Sequence, residues 1–510
     1  MLRAASIIHL VRTFCALVIG IAACTLALAQ SSLSIPMSLP AQVANPLRAV
    51  DIPADALGAI VVRIDDGAII MSHGAARSLQ PASTLKLLTT LVGLEKLGPT
   101  FRGRTEMRAT GTLVAGVLQG DLILRGLADA DLDWEALQRM LQTLRNQGIA
   151  DIRGDLVLDR HFFSPARPDK DAPPFDETPE FRYNVIPDAL LLNTNLLQFD
   201  LVSVDQGVRI SMSPALERVS VVSDLKLVER ACAHWEDGWK IPTLNKSADG
   251  AIQIELHGEF PKNCSASTNI NVLDRVDFAD RLFRSLWRNL GGTFRGNTRE
   301  GVAPADTRLL VEHRSRTLAE VTRDINKRSD NPMARLLYLS LGALAANDGS
   351  NNGMATALRA EREVRAWLQQ HGIAQDGLVL ENGSGLSRQE RIRPAQLAAV
   401  LRIAARSAWA PEFMSSLPIV AIDGAMQNRL RYSPAAGRAR IKTGSLRDVA
   451  AIAGYVPDAR NRLCIVVAMI NHPLAVGAVG RPVLDALIDW VAHADTTWEL
   501  MSPLSQYSGS

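Results

Sequence analysis

A chain of 510 residues, 47% of them hydrophobic and 21% charged, has ample material for a core and should divide into two or three domains. The formal net charge is +2 and both signs are mixed along the chain, so a nucleic-acid or anionic-surface partner has no electrostatic basis. Nine histidines are scattered without HxxxH or HxH, and no CxxC occurs, which disfavours a zinc or dithiol enzyme.

The first 29 residues read as an export leader. Arg3 and Arg12 precede an apolar run, Phe14 to Ala29. At about 16 residues the run is short for a membrane span. Ala27-Leu28-Ala29 offers a small-x-small cleavage site, and Cys24 offers the alternative of lipidation. An exported chain meets an oxidising compartment. Cys232 and Cys264 flank a polar segment and form the disulfide candidate, which would contribute roughly 3 kcal/mol on a chain-entropy argument. Cys464, in an apolar run, reads as a buried thiol.

Residues 58–64 and 68–73 are apolar runs joined by Asp65-Asp66-Gly67, a hairpin signal. A helix follows, with Leu87, Leu91 and Leu94 on one face and Gly98-Pro99 as its stop. From about 100 to 275, short β-rich runs alternate with turns, and only Trp134 to Gln147 is strongly helical. A Pro-rich linker from Ser164 to Pro179 divides this stretch. Near the C-terminus, runs 438–443, 449–456 and 463–470 predict an antiparallel meander, followed by a helix from Pro482 to about Ala494. The two ends together predict a mixed α+β domain with one five-stranded antiparallel sheet flanked by helices, interrupted by a large β-rich insertion. The boundaries expected are 1–29 leader, 30–99 first part of the sheet domain, 100–165 and 166–275 two inserted subdomains, and 276–510 the remainder.

Three short motifs carry the chemistry. Ser83-Thr84-Leu85-Lys86 is an SxxK at a helix start, where residues three apart share a face and an amine can reach a hydroxyl. The pattern alone is weak, since about two are expected by chance in a chain of this size. A second copy, Ser223 to Lys226, follows alternating VSVV and reads as strand. Ser329-Asp330-Asn331 is an SxN between two helices, with Asn331 as an N-cap and Pro332 behind it as the plain alternative. Other SxN triplets stand at Ser267 to Asn269 and Ser350 to Asn352. Lys442-Thr443-Gly444 is the only KTG; it ends a strand, with Ser445 next, and suits an anion because glycine lets a ligand approach the backbone.

In the order SxxK, SxN, KTG, on helix, loop and strand, the set is far more specific than any member. It resembles the signature of serine penicillin-binding proteins and serine β-lactamases. Roughly 240 residues separate Lys86 from Ser329, a spacing similar to that of class C low-molecular-mass penicillin-binding proteins, the penicillin-binding protein 4 type of D-alanyl-D-alanine carboxypeptidase/endopeptidase. LQPASTLKLLTT, GDLILRG, IRGDLVLDRHFF, NGSGLSR and IKTGSL extend the similarity across nearly all of the mature chain. Asn382 departs from the family's usual Asp, and Gly126 to Leu132 lacks its usual turn.

The resemblance implies a serine DD-peptidase acting on peptidoglycan stem peptides in the periplasm, with β-lactams as mimics and no metal or organic cofactor. Ser83 would be the nucleophile, Lys86 its base and Ser329 a proton relay, with Asn331, Lys442, Thr443, Gly444 and Ser445 binding substrate. Asp176 is the candidate for reading a diaminopimelate side chain. Peripheral membrane association and oligomeric state are left open. A β-lactamase or esterase on the same scaffold, or an idle wall-binding protein, are the alternatives. The intact five-residue set of Ser83, Lys86, Ser329, Asn331 and Lys442 argues against the idle protein.

Overall fold

The computed structural model describes residues 39–345, 353–475, 477 and 479–495. The leader, its cleavage site, Cys24 and the Ser350 to Asn352 triplet lie outside these residues.

Two strands from the N-terminal part and three from the C-terminal part form one antiparallel sheet in the order Arg440–Leu446, Val449–Pro457, Leu463–Asn471, Leu57–Arg63, Ile69–His73. The middle strands are buried almost throughout because both faces are covered, so they read as continuous apolar runs instead of alternating ones. On one face, Ile60, Val62, Ile465, Val467 and Tyr455 pack against the helices Lys86–Leu97, Leu318–Lys327, Asn331–Ala343 and Pro394–Ala404. On the other, Ala59, Val61, Ile452, Val466 and Ile470 meet the helices Ala41–Ala49 and Gly480–His493. The helix Lys86–Leu97 ends at Gly98, whose φ of 80° and bond to the Leu94 carbonyl close it.

The inserted segment has a core of its own. Arg104–Ala109, Leu122–Leu127 and Leu156–Asp159 form part of a five-stranded sheet, with the helix Trp134–Asn146 capped by Asp133. Further on, Leu197–Val204, Gly207–Ser213 and Ser265–Ile270 form a three-stranded sheet, and Val219–Ser223 and Trp239–Lys246 pair with Ile252–Pro261. Cys232 and Cys264 are joined by a disulfide in this part.

The unit does not close at residue 275. The helix Arg275–Asn289 buries Phe278, Leu282, Phe283 and Trp287 in the inserted core. Thr298–Glu300 then pairs with Leu156–Asp159, and Arg308–Arg314 with Arg104–Ala109. An edge strand takes its place from its partner, and a one-sided helix fits any apolar surface, so neither announces its neighbour in sequence.

Candidate active site

Ser83 sits in a single helical turn, Ala82–Leu85, directly ahead of the helix that begins at Lys86. Ala82 adopts a φ of 47°, a left-handed conformation unusual outside glycine, which turns the chain sharply just before the serine. Lys86 Nζ lies 2.9 Å from Ser83 Oγ, 2.6 Å from Asn331 Oδ1 and 2.5 Å from the Ser384 carbonyl. The lysine is fully buried. Burial pushes its pKa well below the ordinary value, Lys442 adds to the push, and Asp330 and Glu390 oppose it. A buried lysine drawn toward its neutral form beside a hydroxyl can accept that hydroxyl's proton.

Ser329 stands at the end of the helix Leu318–Lys327 and takes a φ of 60°. Its Oγ accepts from Lys442 Nζ at 2.9 Å. The cap of the next helix is Asp330, one residue earlier than expected: its carboxylate accepts from the Met333 amide at 2.9 Å. Asn331 is thereby released from capping, and its side chain bridges Lys86 and the Tyr183 carbonyl. Carboxylates cap well because they meet the helix dipole, and here that frees the amide for the cleft.

Lys442 to Ser445 lie inside the strand Arg440–Leu446, not at its end. Strand alternation therefore sends Lys442 and Gly444 to one side and Thr443 and Ser445 to the other. Lys442 is fully buried, its pKa lowered to about 7 by loss of solvent, and it also donates to its neighbour's carbonyl, Thr443 O, at 2.8 Å. A Cβ on Gly444 would stand 3.0 Å from the Ser83 amide nitrogen and 2.8 Å from the Pro81 carbonyl. Only glycine lets this strand lie so close to the turn that carries Ser83.

Ser83, Asp176, Tyr183, Ser329, Asn331 and Ser445, among others, line a cleft of about 370 Å³, with Lys86 and Lys442 buried behind it. Asp176 comes from the linker that divides the insertion. It accepts from Tyr183 Oη at 2.7 Å, Asn184 Nδ2 at 2.8 Å and the Thr178 amide at 3.1 Å. Burial works to raise its pKa, but these hydrogen bonds outweigh it and hold the carboxyl below the ordinary range. Glu177 and Arg447 pair at 2.6 Å across the mouth, from the linker to the turn that follows the strand Arg440–Leu446. The competing Ser223 ends a strand in the insertion, and Lys226 begins another. Ser267 and Asn269 also lie on a strand there.

Sequence reasoning missed several contributors. The Ser384 carbonyl, Tyr183, Arg388 and the Arg447–Glu177 pair belong to the cleft but carry no motif. Ser384 and Arg388 lie within NGSGLSR, and that segment's resemblance to the family was the available signal for both.

The family model of the D-Ala-D-Ala carboxypeptidase 3 (S13) family matches residues 39–494. A D-alanyl-D-alanine carboxypeptidase of Actinomadura sp. (strain R39) is 29% identical over 440 residues, 82% of this chain and 79% of its own. The D-alanyl-D-alanine carboxypeptidase DacB of Haemophilus influenzae is 26% identical over 428 residues, covering 81% and 85%. The crystal structure of penicillin binding protein 4 from H. influenzae superposes with a TM-score of 0.73 at 23% identity, over 89% of this chain and 99% of that one. A second structure of it, complexed with a β-lactam, gives 0.68 at 24% identity over 87% and 97%.

Proposed function

The chain belongs to the D-Ala-D-Ala carboxypeptidase 3 (S13) family and is a serine-type hydrolase, and on that premise we propose how its own residues carry out D-Ala-D-Ala peptide cleavage. The observation that carries the reading is the buried Lys86 amine 2.9 Å from Ser83 Oγ, with no carboxylate within ion-pair distance of it among the described residues.

Lys86 takes the Ser83 proton as Oγ attacks the carbonyl carbon of the penultimate D-Ala. The oxyanion so formed rests against the backbone N–H groups of Ser83 and Ser445, the two segments that Gly444 holds together. Ser329, hydrogen-bonded to Lys442, passes a proton to the departing amine as the C–N bond breaks. Asn331 positions the substrate amide, and the terminal carboxylate sits along the open edge of the strand Arg440–Leu446, where Lys442 from one side and Thr443 from the other reach it. The proton held by Lys86 then restores Ser329 and leaves the amine neutral; water attacks the acyl-enzyme, Lys86 takes the water's proton and delivers it to Ser83 Oγ as the ester C–O bond breaks, and Ser83 is regenerated. The same Ser83 opens a β-lactam ring. Such an enzyme acts on peptidoglycan stem peptides as carboxypeptidase, endopeptidase or both. We infer a periplasmic location from work on that polymer and from the export leader expected at residues 1–29.

Asp176 supports a finer reading. It is a carboxylate in the cleft with hydrogen bonds but no cation within ion-pair distance among the described residues. A substrate side chain bearing an ammonium, as diaminopimelate does, completes it.

Intact-protein mass spectrometry after incubation with benzylpenicillin tests the assignment. A stable mass increase is expected on wild type and none on Ser83→Ala, whose peptidase rate should fall at least about 10⁴-fold. Rapid turnover to penicilloate would make the protein a β-lactamase; neither adduct nor turnover would leave an inert binding protein.

A further inference from the structure

Lys86 makes a contact that the reaction scheme does not use: its amine meets the Ser384 carbonyl at 2.5 Å. That carbonyl belongs to an irregular loop between Glu381 and Glu390, and its position depends on how the loop is held.

Two side chains hold it. Glu390 is fully buried, and one of its oxygens accepts the amides of Glu381, Asn382 and Gly383 at 3.2, 2.9 and 3.0 Å. Its other oxygen has no hydrogen-bond partner among the described residues. Asn382 closes the next turn: Oδ1 accepts from the Ser384 amide at 2.9 Å and from Ser384 Oγ at 2.6 Å, while Nδ2 donates to the Leu386 carbonyl at 2.9 Å. The loop is also pressed against the nucleophile. Thr89 Oγ1, from the Lys86 helix, donates to the Gly383 carbonyl at 2.6 Å. A Cβ on Gly385 would stand 1.9 Å from the Ala82 carbonyl and 2.8 Å from the Ser83 amide nitrogen. The loop therefore forms the rear wall of both Ser83 and Lys86.

We propose that Glu390 and Asn382 are positioning residues: they fix the Ser384 carbonyl and the Gly385 backbone so that the Lys86 amine is aimed at Ser83 Oγ. Neither touches substrate. The inference rests on Lys86 as the base, and it identifies what aims that base. It also gives a reason for an amide at 382. Nδ2 is needed as a donor to Leu386, and a carboxylate there would stand directly beside Glu381 in a loop that already buries Glu390. The charged groups bearing on Lys86 are Lys442, Asp330, Glu390 and Arg335. Asp330 is paired with Arg182 at 2.8 Å, and Arg335 Nε lies 3.4 Å from Ser384 Oγ. A new carboxylate at 382 would add to the groups that favour the lysine's charged form, partly offset by Arg335.

The test is the rate of acylation by benzylpenicillin as a function of pH, followed by intact mass on the full chain. Asn382→Asp should move the acid limb of the profile upward by about half a pH unit to one unit. Glu390→Ala should slow acylation at the optimum about tenfold or more, and Glu390→Gln, which keeps the accepting oxygen, should restore most of it. The proposal is overturned if the Asn382→Asp limb stays where wild type has it, whatever the rate, or if Glu390→Ala acylates as fast as wild type. Should Glu390→Ala not fold, the Gln and Asp variants still decide. Wild type that is never acylated would instead sink the assignment of Ser83 and Lys86.

Discussion

Buried charge is handled in opposite ways in the two halves of the molecule. In the insertion, Asp188 is fully buried and accepts from Arg160 at 2.9 Å, Arg275 at 2.6 Å and the Leu190 amide at 2.7 Å. Arg160 and Arg275 are themselves almost wholly buried, so the cluster is a desolvated but compensated junction between strand, loop and helix. In the sheet domain Lys86 and Lys442 are equally buried, and among the described residues neither has a carboxylate within ion-pair distance. Their partners are hydroxyls, an amide and carbonyls. Compensated charge holds structure together; uncompensated charge costs stability and is kept where chemistry needs a proton to move.

The sharpest way to break this comparison is to remove one member from each side. Lys86→Met should abolish acylation, a loss of about 10⁴-fold or more, because the proposed base and nucleophile would act as a unit. Its thermal stability should equal wild type or exceed it by about 1 kcal/mol, since the buried amine is exchanged for an apolar chain of similar length. Asp188→Ala should do the reverse. Stripping the carboxylate leaves two buried guanidinium groups whose remaining counter-charges are the partly exposed Glu300 and Asp169, and should cost about 3–5 kcal/mol. Each molecule that remains folded should still be acylated. Denaturant melts beside the fraction acylated separate the two effects, and an Lys86→Met variant as unstable as Asp188→Ala would erase the distinction.

Lys442 extends the comparison to pH. Burial lowers its pKa to about 7, against 10.5 in an exposed lysine. Between those values the unfolded chain holds the proton and the folded chain does not, so unfolding takes up a proton and stability rises with pH. The gain is present above about 10.5 and fades as pH falls toward about 7. The slope is at most about 1.4 kcal/mol per pH unit. Lys442→Met should lack this slope, and the difference between its melting curve and that of wild type across the window isolates it. A difference that does not vary with pH would mean that Lys442 keeps its proton when buried.

The members of this site that were legible in the sequence were those with local signatures. The i,i+3 spacing of Ser83 and Lys86 brings their side chains together within one turn, and the leucines at 87, 91 and 94 marked that turn as helical. The five-stranded sheet was readable because apolar runs at both chain ends had strand length and turn residues between them. The repeat of the same SxxK at Ser223 was separable by its alternating surroundings, and the structure has a strand there. What had no signature depended on distant neighbours. Glu390 looks like any surface glutamate until three amides converge on it. Asp330 could not be preferred to Asn331 as the cap, since both residue types cap well. The return of residues 275–314 to the insertion was hidden because their patterns describe a face, not its partner.

Asp176 gives the smallest effect and the finest test. It stands between the two regimes: Thr178, Tyr183 and Asn184 donate to it, as donors do to Asp188 in the insertion, yet among the described residues no cation lies within ion-pair distance to neutralise it. If uncompensated charge marks function, the missing cation is supplied by substrate. Asp176→Asn keeps the size of the side chain and removes the charge. It should lower kcat/KM by about tenfold for a stem peptide with a free amino group on the side chain near the scissile bond. For the same peptide with that amine acetylated, wild type and variant should be equal. Acylation by benzylpenicillin, which has no such group, should also be unchanged. An equal loss with all three would show that Asp176 shapes the cleft through Tyr183 and Asn184 instead of pairing with substrate, and would place it with Asp188 among the structural carboxylates.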